Sequence, residues 1–327
     1  MFEKIFPDLY RIEIPLPKNP LKALNAYLIK GQDRSLIVDT GMNREECLHP
    51  MRASLEKLDV DLNRTDFFIT HLHADHLGLV ENLITETTTV YFGSREASIF
   101  NSITGGIEKR RQEFFSLLNS NGFPEDELKK ALNNHPGYRY RSRKAIDFAG
   151  VNEGDVIQAG NYSLTCIETP GHSPGHMCLY EKGKKILFSG DHILSNITPN
   201  ITCWPDLPNT LNAYLKSLDK VYELDVDLVL PGHRSLMTDH KKRIQELKEH
   251  HRDRLSEALS AIKEEDKTAW DVAPYIAWDI KARSWEEFPP AQKWFAMGET
   301  IAHLHYLESD GKIRRIEEDG KIIFTAA

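Results

Sequence analysis

Apolar and polar residues alternate in short runs along the first third of the chain, and this pattern predicts β-strands. Residues 9–14 alternate between apolar and polar, as a half-buried strand does. Further short apolar runs predict strands at residues 25–30, 35–39 and 66–70. Residues 31–34 are typical of a hairpin turn, and residues 44–58 carry apolar side chains at helical spacing. The order strand, strand, helix, strand predicts mixed sheets covered by helices, an α/β (α+β) fold class.

The pattern changes to helical spacing over residues 94–150. Gly105-Gly106 and Gly122-Phe123-Pro124 interrupt this stretch, and Glu125 is a candidate helix start. Basic residues cluster at 109–111 and 139–144. Two interpretations stay open at this point: a helical insertion that covers an active site, or a solvated helical connection, because charge runs usually face water.

The last part of the chain returns to strands and then becomes helical. Strands are predicted at residues 162–169, 177–181, 185–189 and 227–230. Helices are predicted at residues 211–224, 239–265, 269–280 and 290–310. Asp319-Gly320 between two β-prone runs indicates a hairpin. We therefore expect a domain at 1–240 and a second at 241–327, made of a linker helix and a winged-helix-like module.

Composition and charge narrow the class of protein. Apolar residues make up 40% and charged residues 28% of the 327, as in an ordinary globular protein. No apolar run reaches the ~20 residues of a membrane helix, and the first residues lack the layout of a secretory signal. The four cysteines form no CxxC pair, so a cytoplasmic location is expected. The net charge of −8 argues against a general polyanion binder.

Candidate chemistry is concentrated in the segment His71-Leu72-His73-Ala74-Asp75-His76, directly after the apolar run at 66–70. Imidazole nitrogens and carboxylate oxygens are ligands that suit zinc and similar divalent ions. His71 and His73 are two residues apart, so both point to one side of an extended segment. Asp75 and His76 follow once the chain has turned, where they can serve a second ion. This spacing predicts a metal site.

Three further candidate ligands follow other predicted strands. They are His172 in Pro170-Gly-His, Asp191 in Ser189-Gly-Asp and His233 in Pro231-Gly-His. In layered α/β folds, sites form in loops at strand ends, where the sheet fixes the ligands. Each tripeptide alone is weak evidence for a metal site, but together, in this order after the histidine cluster, they are strong evidence.

With these motifs the sequence resembles the metallo-β-lactamase fold superfamily over about residues 5–240, without the insertion. The matching residues in chain order are Asp39-Thr40-Gly41, the 71–76 cluster, His172, Asp191 and His233. The resemblance implies a four-layer αβ/βα sandwich with the site along one edge of the packed sheets. A subgroup with a long charged helix and a C-terminal winged-helix module is the most similar, and includes lactamase-like endoribonucleases; glyoxalase II-like hydrolases share the fold.

The resemblance also implies roles for individual residues. One metal would be bound by His71, His73 and His172, the second by Asp75, His76 and His233, with Asp191 bridging the two. Asp39 resembles an acid that orients ligands without touching metal. Asp75 could guide the proton of the attacking water. His176 fits a donor packed behind the site, and Asn25 and His192 are weaker candidates. Zinc is the expected metal, with iron or manganese as alternatives.

The expected reaction is hydrolysis by a metal-activated water, since two divalent ions lower the pKa of water from ~16 toward ~7. The leading hypothesis is a small-molecule ester, thioester or lactone hydrolase. Aromatic side chains of the insertion and beyond are candidate pocket walls: Phe114, Phe115, Tyr138, Tyr140 and Trp204.

Several departures from related enzymes bear on the substrate. The second histidine of the cluster, where diiron oxygen reductases place an acid, favours hydrolysis over redox chemistry. Asp75 stands where some secreted lactamases use cysteine. The basic residues that grip glutathione in glyoxalase II cannot be matched, and Leu194 replaces the tyrosine of acyl-homoserine lactonases.

Two alternatives remain at this point. The first is an endoribonuclease that binds RNA through arginines in the insertion: Arg110, Arg111, Arg139, Arg141 and Arg143. Against it, acidic residues slightly outnumber basic ones over residues 241–327. The second is a winged-helix regulator that senses a ligand. A homodimer is a further expectation, since the C-terminal module could serve as a dimerisation element. No membrane partner is expected.

Overall fold

The computed structural model describes residues 1–134 and 136–327, except for the side chains at positions 107, 134, 136 and 138. The chain forms two compact units. The first contains Met1–Gly105, Pro136–Pro199 and Ser217–Arg243, and the second contains Gly106–His135, Asn200–Lys216 and Ile244–Ala327. The predicted insertion at 94–150 is thus divided between the units. The predicted domain boundary at residue 240 stays a prediction.

The first unit is built on two sheets. Seven strands in chain order form the first sheet: β1 Phe2–Phe6, β2 Leu9–Pro15, β3 Ala23–Ile29, β4 Ser35–Val38, β5 Thr65–Ile69, β6 Val90–Gly93 and β7 Ala149–Val151. Five strands in the order β12-β11-β10-β9-β8 form the second: β8 Val156–Ala159, β9 Tyr162–Glu168, β10 Met177–Glu181, β11 Ile186–Gly190 and β12 Leu228–Pro231. This is the mixed α/β architecture that the sequence pattern predicts.

The helices connect and follow these strands. They are α1 Glu45–Lys57, α2 Ala74–Leu77, α3 Val80–Leu83, α4 Ser94–Ser120, α5 Glu125–Asn134, α6 Pro136–Arg139, α7 Thr210–Tyr222, α8 His240–Glu264, α9 Ala269–Val272 and α10 Pro290–Ser309. Gly106 inside α4 has non-helical backbone angles and kinks the helix there, as the Gly105-Gly106 pair predicts. Helix α5 begins at Glu125, also as predicted.

Two apolar cores hold the first unit together, one on each face of the first sheet. Phe67 and Ile69 of β5 lie on one face and belong to a fully buried cluster with Met51 of α1. Phe68 points to the opposite face and packs in a second cluster with Phe188 of the second sheet. Alternation along a strand thus supplies both cores. Burial of each such side chain contributes about 1.5–3 kcal/mol.

Parallel pairing brings the predicted ligand loops to common sheet edges. Strands β4 and β5 are parallel, so Asp39 and His71 follow neighbouring strand ends. Strands β11 and β12 are also parallel, so Asp191 and His233 follow neighbouring strand ends in the second sheet. Loops at the carboxyl ends of parallel strands lie side by side, which positions their side chains to converge.

The second unit is helical and ends in the predicted hairpin. Strands β13 Ile313–Glu318 and β14 Lys321–Ala326 pair around Asp319-Gly320, both with the positive φ that a tight primed turn requires. The helix predicted at 269–280 is wrong in length, because α9 ends at Val272 and the chain passes into a short 3₁₀ turn at Ala273–Tyr275. Pro274 lacks the backbone N–H that would continue the helix. The winged-helix assignment of this module stays a prediction.

The sequence interpretation lacks four strands of the structure, β1, β6, β7 and β8. Strand β1 is mostly exposed, and the burial of β8 alternates over only four residues. Neither segment has a strong apolar pattern, so pairing with β2 and β9 in the folded chain decides its structure.

Candidate metal centre

The cluster segment changes from extended to helical backbone between its two halves. It leaves β5 in extended form, and His73 still has extended backbone angles just before α2 begins. Asp75 and His76 then lie in the first turns of α2. The two halves therefore present their side chains in different directions, as the spacing predicts.

The first group of candidate ligands is His71, His73 and His172. His73 Nδ1 lies 3.0 Å from His71 Nε2 and 2.9 Å from His172 Nε2. A single proton on His73 Nδ1 cannot form hydrogen bonds to both of these Nε2 atoms. Nitrogen ligands about 2.0–2.1 Å from a tetrahedral zinc ion lie roughly 3.3 Å apart, so this spacing is close to that of one ion's ligand set.

The second group is Asp75, His76 and His233, whose ligand atoms lie within 4.8 Å of one another. His233 Nε2 is 3.5 Å from Asp75 Oδ2. His76 and His233 are fully buried. Asp75 and His76, from the helical half of the cluster segment, thus converge with His233, from the loop after β12.

Asp191 lies between the two groups. Its Oδ2 is 3.6 Å from His172 Nε2 of the first group and 3.5 Å from His233 Nε2 of the second. Its Oδ1 is 3.5 Å from His76 Nε2. A single carboxylate therefore faces both groups at once, which is the arrangement that a bridging ligand needs.

Buried hydrogen bonds fix the orientation of two of the imidazoles. Asp39 Oδ2 accepts a hydrogen bond from His76 Nδ1 at 2.7 Å. The carbonyl oxygen of Ala23 accepts one from His233 Nδ1 at 2.7 Å. With Nδ1 protonated in each ring, the lone pair of Nε2 points into the group, as outer partners of metal-bound histidines arrange it.

The chemistry of this donor set fits divalent metal ions. Among the described residues, the buried atoms His76 Nε2, His233 Nε2 and Asp191 Oδ1 have no hydrogen-bond partner. Buried polar atoms without a partner are costly, so a further group is needed to satisfy them. No Lys or Arg of the described residues pairs with Asp39, Asp75 or Asp191. A cation would satisfy the orphan atoms and offset the carboxylate charge.

The local field lowers the pKa of Asp75 and Asp191 and of the imidazoles of His71 and His73, whereas it raises the pKa of His76 and His233. Burial alone would raise the pKa of Asp191, but the imidazoles of His233 and His76 outweigh it and hold that pKa well below its usual range. Burial and the neighbouring imidazole of His172 lower the pKa of His73 to about 3. Burial is opposed at His76 by Asp39 and Asp191, which raise its pKa. Ionised carboxylates and neutral imidazoles are the forms that ligate metals.

Two glycines of the motifs allow this close packing. A Cβ atom on Gly232 would lie 2.6 Å from Asp191 Oδ1 and 2.7 Å from His76 Cε1. A Cβ atom on Gly190 would lie 2.7 Å from His176 Nε2, and its φ of +48° favours glycine in any case. The glycines that precede Asp191 and His233 in the sequence therefore make room for the candidate ligands.

His176 lies outside the two groups, with its ring centroid 5.2 Å from that of His71, and its predicted role stays a prediction. Its Nδ1 is 2.8 Å from Thr169 Oγ1, and its Nε2 accepts a hydrogen bond from the backbone N–H of Asp191 at 3.1 Å. His176 thus holds the backbone of the central carboxylate. His192 is fully buried and lies outside the two groups.

Sequence reasoning gave little weight to Asn25 and missed Tyr27. The Nδ2 atom of Asn25 donates to the carbonyl oxygens of Pro231 and Arg234, at 3.0 and 2.8 Å. Tyr27 donates to the Pro231 carbonyl at 2.7 Å. These side chains fix the loop that carries His233, and no local signal links them to residues more than 200 positions away.

Thr70 and Glu96 were also missed. Thr70 Oγ1 lies 2.9 Å from Asp39 Oδ2 and 3.0 Å from His71 Nδ1, so it connects the acid to the first group. The Glu96 carboxylate is fully buried and accepts hydrogen bonds from the loops that carry the histidines of that group. Burial raises the pKa of Glu96 to about 7, and its backbone and hydroxyl donors oppose the rise. The position of Thr70 directly before His71 is a signal that could have identified it.

The predicted pocket walls do not form one set. Phe114 packs edge-on against Trp204, with ring centroids 5.7 Å apart, and also contacts Trp294, all within the second unit. Phe114 is thus part of an aromatic cluster of that unit. Tyr140 lies in the first unit against Arg44. The side chain of Tyr138 lies outside the described residues.

A further His/carboxylate group lies in the second unit, formed by His251, Glu299 and His303. His251 Nδ1 is 3.1 Å from His303 Nε2, and His303 Nδ1 donates to the Glu299 carbonyl at 2.7 Å. The Glu299 carboxylate is paired with the buried Arg254 and accepts from Asn200 Nδ2. This group already contains its own cation.

Fold and site together define a metal-dependent hydrolase class, in which strand-end histidines and aspartates converge beside two packed sheets. Residues 21–233 match the metallo-beta-lactamase superfamily, and residues 255–327 match the C-terminal domain of metallo-beta-lactamase-like proteins. The chain belongs to the metallo-β-lactamase superfamily and is a hydrolase of that family. The predicted family and fold class are confirmed.

Three relatives illustrate the family. The chain is 24% identical to a probable metallo-hydrolase, YqjP, of Bacillus subtilis over 97% of each chain. It is 26% identical to an acyl-coenzyme A thioesterase of Homo sapiens, covering 64% of this chain and 72% of that one. A solved metallo-beta-lactamase family protein of Thermus thermophilus is 26% identical, with a TM-score of 0.84 and coverage of 99% and 100%.

The remaining predictions concern the bound metal, the location and the partners. Divalent metal binding follows from the family and the His/Asp groups, whereas the number and kind of ions stay predictions. No helix in the described part of the chain has the length and apolarity needed to cross a membrane. The cytoplasmic location, the RNA partner and the homodimer also stay predictions.

Proposed function

We propose that this chain hydrolyses a small-molecule acyl thioester with a water activated by two divalent ions, zinc being the first choice. The observation that carries the proposal is the position of Asp191, whose carboxylate oxygens face both candidate ligand groups. The name of the human relative, an acyl-coenzyme A thioesterase, supports a thioester over the ester and lactone alternatives.

Seven residues would hold the ions. They are His71, His73 and His172 for one, Asp75, His76 and His233 for the other, and Asp191 between them. When bound, the ions would lower the pKa of water toward ~7 and polarise the acyl carbonyl. Asp39 would keep His76 oriented, and His176 would hold the backbone of Asp191. The roles of these residues are part of the proposal.

The remaining chemistry is a balanced hydrolysis. The oxygen of water forms a bond to the acyl carbon, the carbon–sulfur bond breaks, and the thiolate leaves and takes up a proton. Asp75 is ionised, since nearby imidazoles hold its pKa below the usual range against the effect of burial. Its carboxylate, beside His233, can therefore accept a proton from the attacking water.

The state of the cysteines supports water as the nucleophile. All four are buried. Burial raises the pKa of Cys47 to about 11, and those of Cys166, Cys178 and Cys203 to about 12. Thiols held in the protonated form are poor nucleophiles, so a covalent acyl-cysteine route is disfavoured.

A substrate panel tests this proposal. Metal-replete protein is offered an acyl-coenzyme A, an acyl-homoserine lactone, a β-lactam and single-stranded RNA at equal concentration. We expect thiol release from the thioester to exceed the rate on each other substrate, and to stop when the metal is chelated. Cleavage of RNA or the lactone without thiol release would overturn the proposal.

A further inference from the structure

The basic segment, residues 139–144, is a concentration of positive charge in an acidic protein. Its cationic side chains are those of Arg139, Arg141, Arg143 and Lys144. Arg139, Arg143 and Lys144 are exposed. Among the described residues, no carboxylate forms an ion pair with these three side chains. The charge of Arg139, Arg143 and Lys144 is therefore available to an external anion.

Hydrogen bonds hold the backbone of the basic segment in place. Glu81 Oε2 accepts bonds from Ser142 Oγ at 2.6 Å and from the backbone N–H groups of Arg143 and Lys144 at 2.6 and 2.8 Å. The backbone N–H of Asn43 donates to the Tyr140 carbonyl at 2.9 Å. Glu81 thus binds the backbone and hydroxyl of the segment, and it forms no ion pair with Arg139, Arg143 or Lys144.

The basic segment is fixed beside the candidate metal centre, within the same unit. Helix α6, which ends at Arg139, lies against α2, the helix that carries Asp75 and His76. A Cβ atom on Gly78 would lie 2.8 Å from the Tyr140 carbonyl oxygen. Three residues of extended chain span at most about 10 Å, so Arg143 lies within roughly that distance of the contact.

We propose that the basic segment binds the phosphate groups of the substrate's leaving-group thiol, which makes a phosphate-bearing thiol ester the preferred substrate. This proposal rests on the proposed function. Guanidinium and ammonium groups are the side chains that recognise phosphate. Positive charge next to a reaction centre also raises the encounter rate of an anionic substrate in a salt-dependent way.

The test compares two thioesters with the same acyl group. Acyl-coenzyme A carries phosphates, whereas acyl-N-acetylcysteamine has the same reacting bond and none. In the double variant Arg143→Glu/Lys144→Glu we expect kcat/KM for acyl-coenzyme A to fall about tenfold and to lose much of its salt dependence, from the usual strength of surface ion pairs. The value for acyl-N-acetylcysteamine should not change.

The matched control is Lys57→Glu/Lys182→Glu, which makes the same charge change at exposed positions. Lys182 lies in the turn before β11, at the end of that strand opposite Asp191. An equal loss on both thioesters, or an equal loss in the control, would overturn the role of the basic segment and leave the proposed function intact. If the unmodified protein turned over neither thioester, both the role of the basic segment and the proposed function would be overturned. Cleavage of RNA that depends on the basic segment would likewise overturn both and favour an endoribonuclease.

A separate observation concerns Glu96, which joins the two loops of the first ligand group. Its Oε2 accepts from the backbone N–H of Leu72, between His71 and His73, at 2.8 Å. Its Oε1 accepts from Ser173 Oγ and from the backbone N–H of Gly175, at 2.8 and 2.6 Å. Ser173 directly follows His172. One buried side chain therefore sets the separation of the two loops.

We also infer that Glu96 is a positioning residue that sets the metal affinity of the first group. All three groups bonded to it are donors, so both carboxylate oxygens are needed as acceptors. Glu96→Gln keeps the shape of the side chain but must turn an NH₂ group toward at least one of these donors. The loops then separate, although every candidate ligand is still present.

The measurements are the affinity for Co²⁺ by calorimetry and the absorption spectrum of the bound Co²⁺. Loss of a partner that orients ligands costs roughly 10–100-fold in metal affinity, which is the change we expect for Glu96→Gln. Glu181→Gln is the control, since Glu181 is also buried and accepts the backbone N–H of Lys184. Unchanged affinity and spectrum in Glu96→Gln, with only thermal stability reduced, would overturn the inference.

Discussion

Among the described residues, buried histidine and carboxylate side chains come together in the candidate metal centre of the first unit and in the group of His251, Glu299 and His303 of the second unit, and these two differ in charge balance. The candidate metal centre of the first unit combines Asp39, Asp75 and Asp191 with imidazoles and contains no Lys or Arg among the described residues. The group of the second unit has one carboxylate, Glu299, which Arg254 neutralises. Ligand-type residues in proximity are therefore not sufficient to indicate a metal site. The group whose charge and hydrogen bonds are incomplete is the one that needs an external cation.

Replacement of Asp191 should have the largest effect. Asp191→Ala removes the carboxylate that faces both ligand groups. Loss of an outer partner already costs roughly 10–100-fold, so loss of this residue should reduce hydrolysis by more than about 100-fold. Metal content and initial rates of the purified variant measure the effect. Full activity in Asp191→Ala would remove the basis for a bridged pair of ions.

Replacement of Asp39 should have a smaller effect on the same site. Asp39→Asn keeps the size of the side chain but exchanges one acceptor oxygen for a donor facing His76 Nδ1 or Thr70. Activity and metal affinity should fall roughly 10–100-fold. A metal titration of the rate separates the two effects, because excess metal should restore part of the activity. If the rate stayed low at saturating metal with normal affinity, Asp39 would have a role beyond orientation.

Replacement of Arg254 should affect stability and leave the metal unchanged. Arg254→Ala leaves the buried Glu299 carboxylate without its cation. Removal of one partner of a buried ion pair lowers the free energy of unfolding by about 3–5 kcal/mol. Urea unfolding measures this loss, and metal content should equal that of the unmodified protein. The double variant Arg254→Met/Glu299→Leu should recover much of the stability. Loss of a metal equivalent in either variant would show that the group of His251, Glu299 and His303 also binds an ion.

Acid should destabilise the group of His251, Glu299 and His303 through its histidines. Burial lowers the pKa of His303 to about 4, below its ordinary 6.5. Between these values the unfolded chain binds a proton that the folded chain does not. The contribution to stability is therefore complete above pH 6.5 and is lost as the pH falls toward 4, by about 1.4 kcal/mol per pH unit. The free energy of unfolding measured from pH 7 to 4 should show a shallower slope in His303→Gln, and an unchanged slope would contradict this assignment.

The sequence indicates which candidate ligands converge more readily than it indicates the residues that hold them in place. The 71–76 cluster, His172, Asp191 and His233 could be identified because each directly follows a strand, and parallel pairing then brings the strand ends together. Glu96 could not be identified, since its partners lie 24 and 79 positions away and one is a backbone N–H in each loop. A hydrogen bond to a backbone N–H does not depend on the side chain of the donor residue, so residue types do not reveal it.

The same reason explains the partial success with the fold. Strands with a clear apolar alternation, such as Leu9–Pro15, were predicted within about a residue. Strand β1 and the early end of α9 depend on pairing and on Pro274, so the local pattern misses or overstates them. The sequence leaves open whether the basic segment covers an active site or faces water, and its bonds to Glu81 and Asn43 show that it has a fixed position.

The most direct test of the central claim is the metal content of the purified protein, measured by mass spectrometry for the unmodified chain, His73→Ala and His251→Ala. We expect about two equivalents in the unmodified chain, a clear loss in His73→Ala, and no change in His251→Ala. Less than about one equivalent in the unmodified chain, unaffected by His73→Ala, would contradict it. So would a loss of metal in His251→Ala alone.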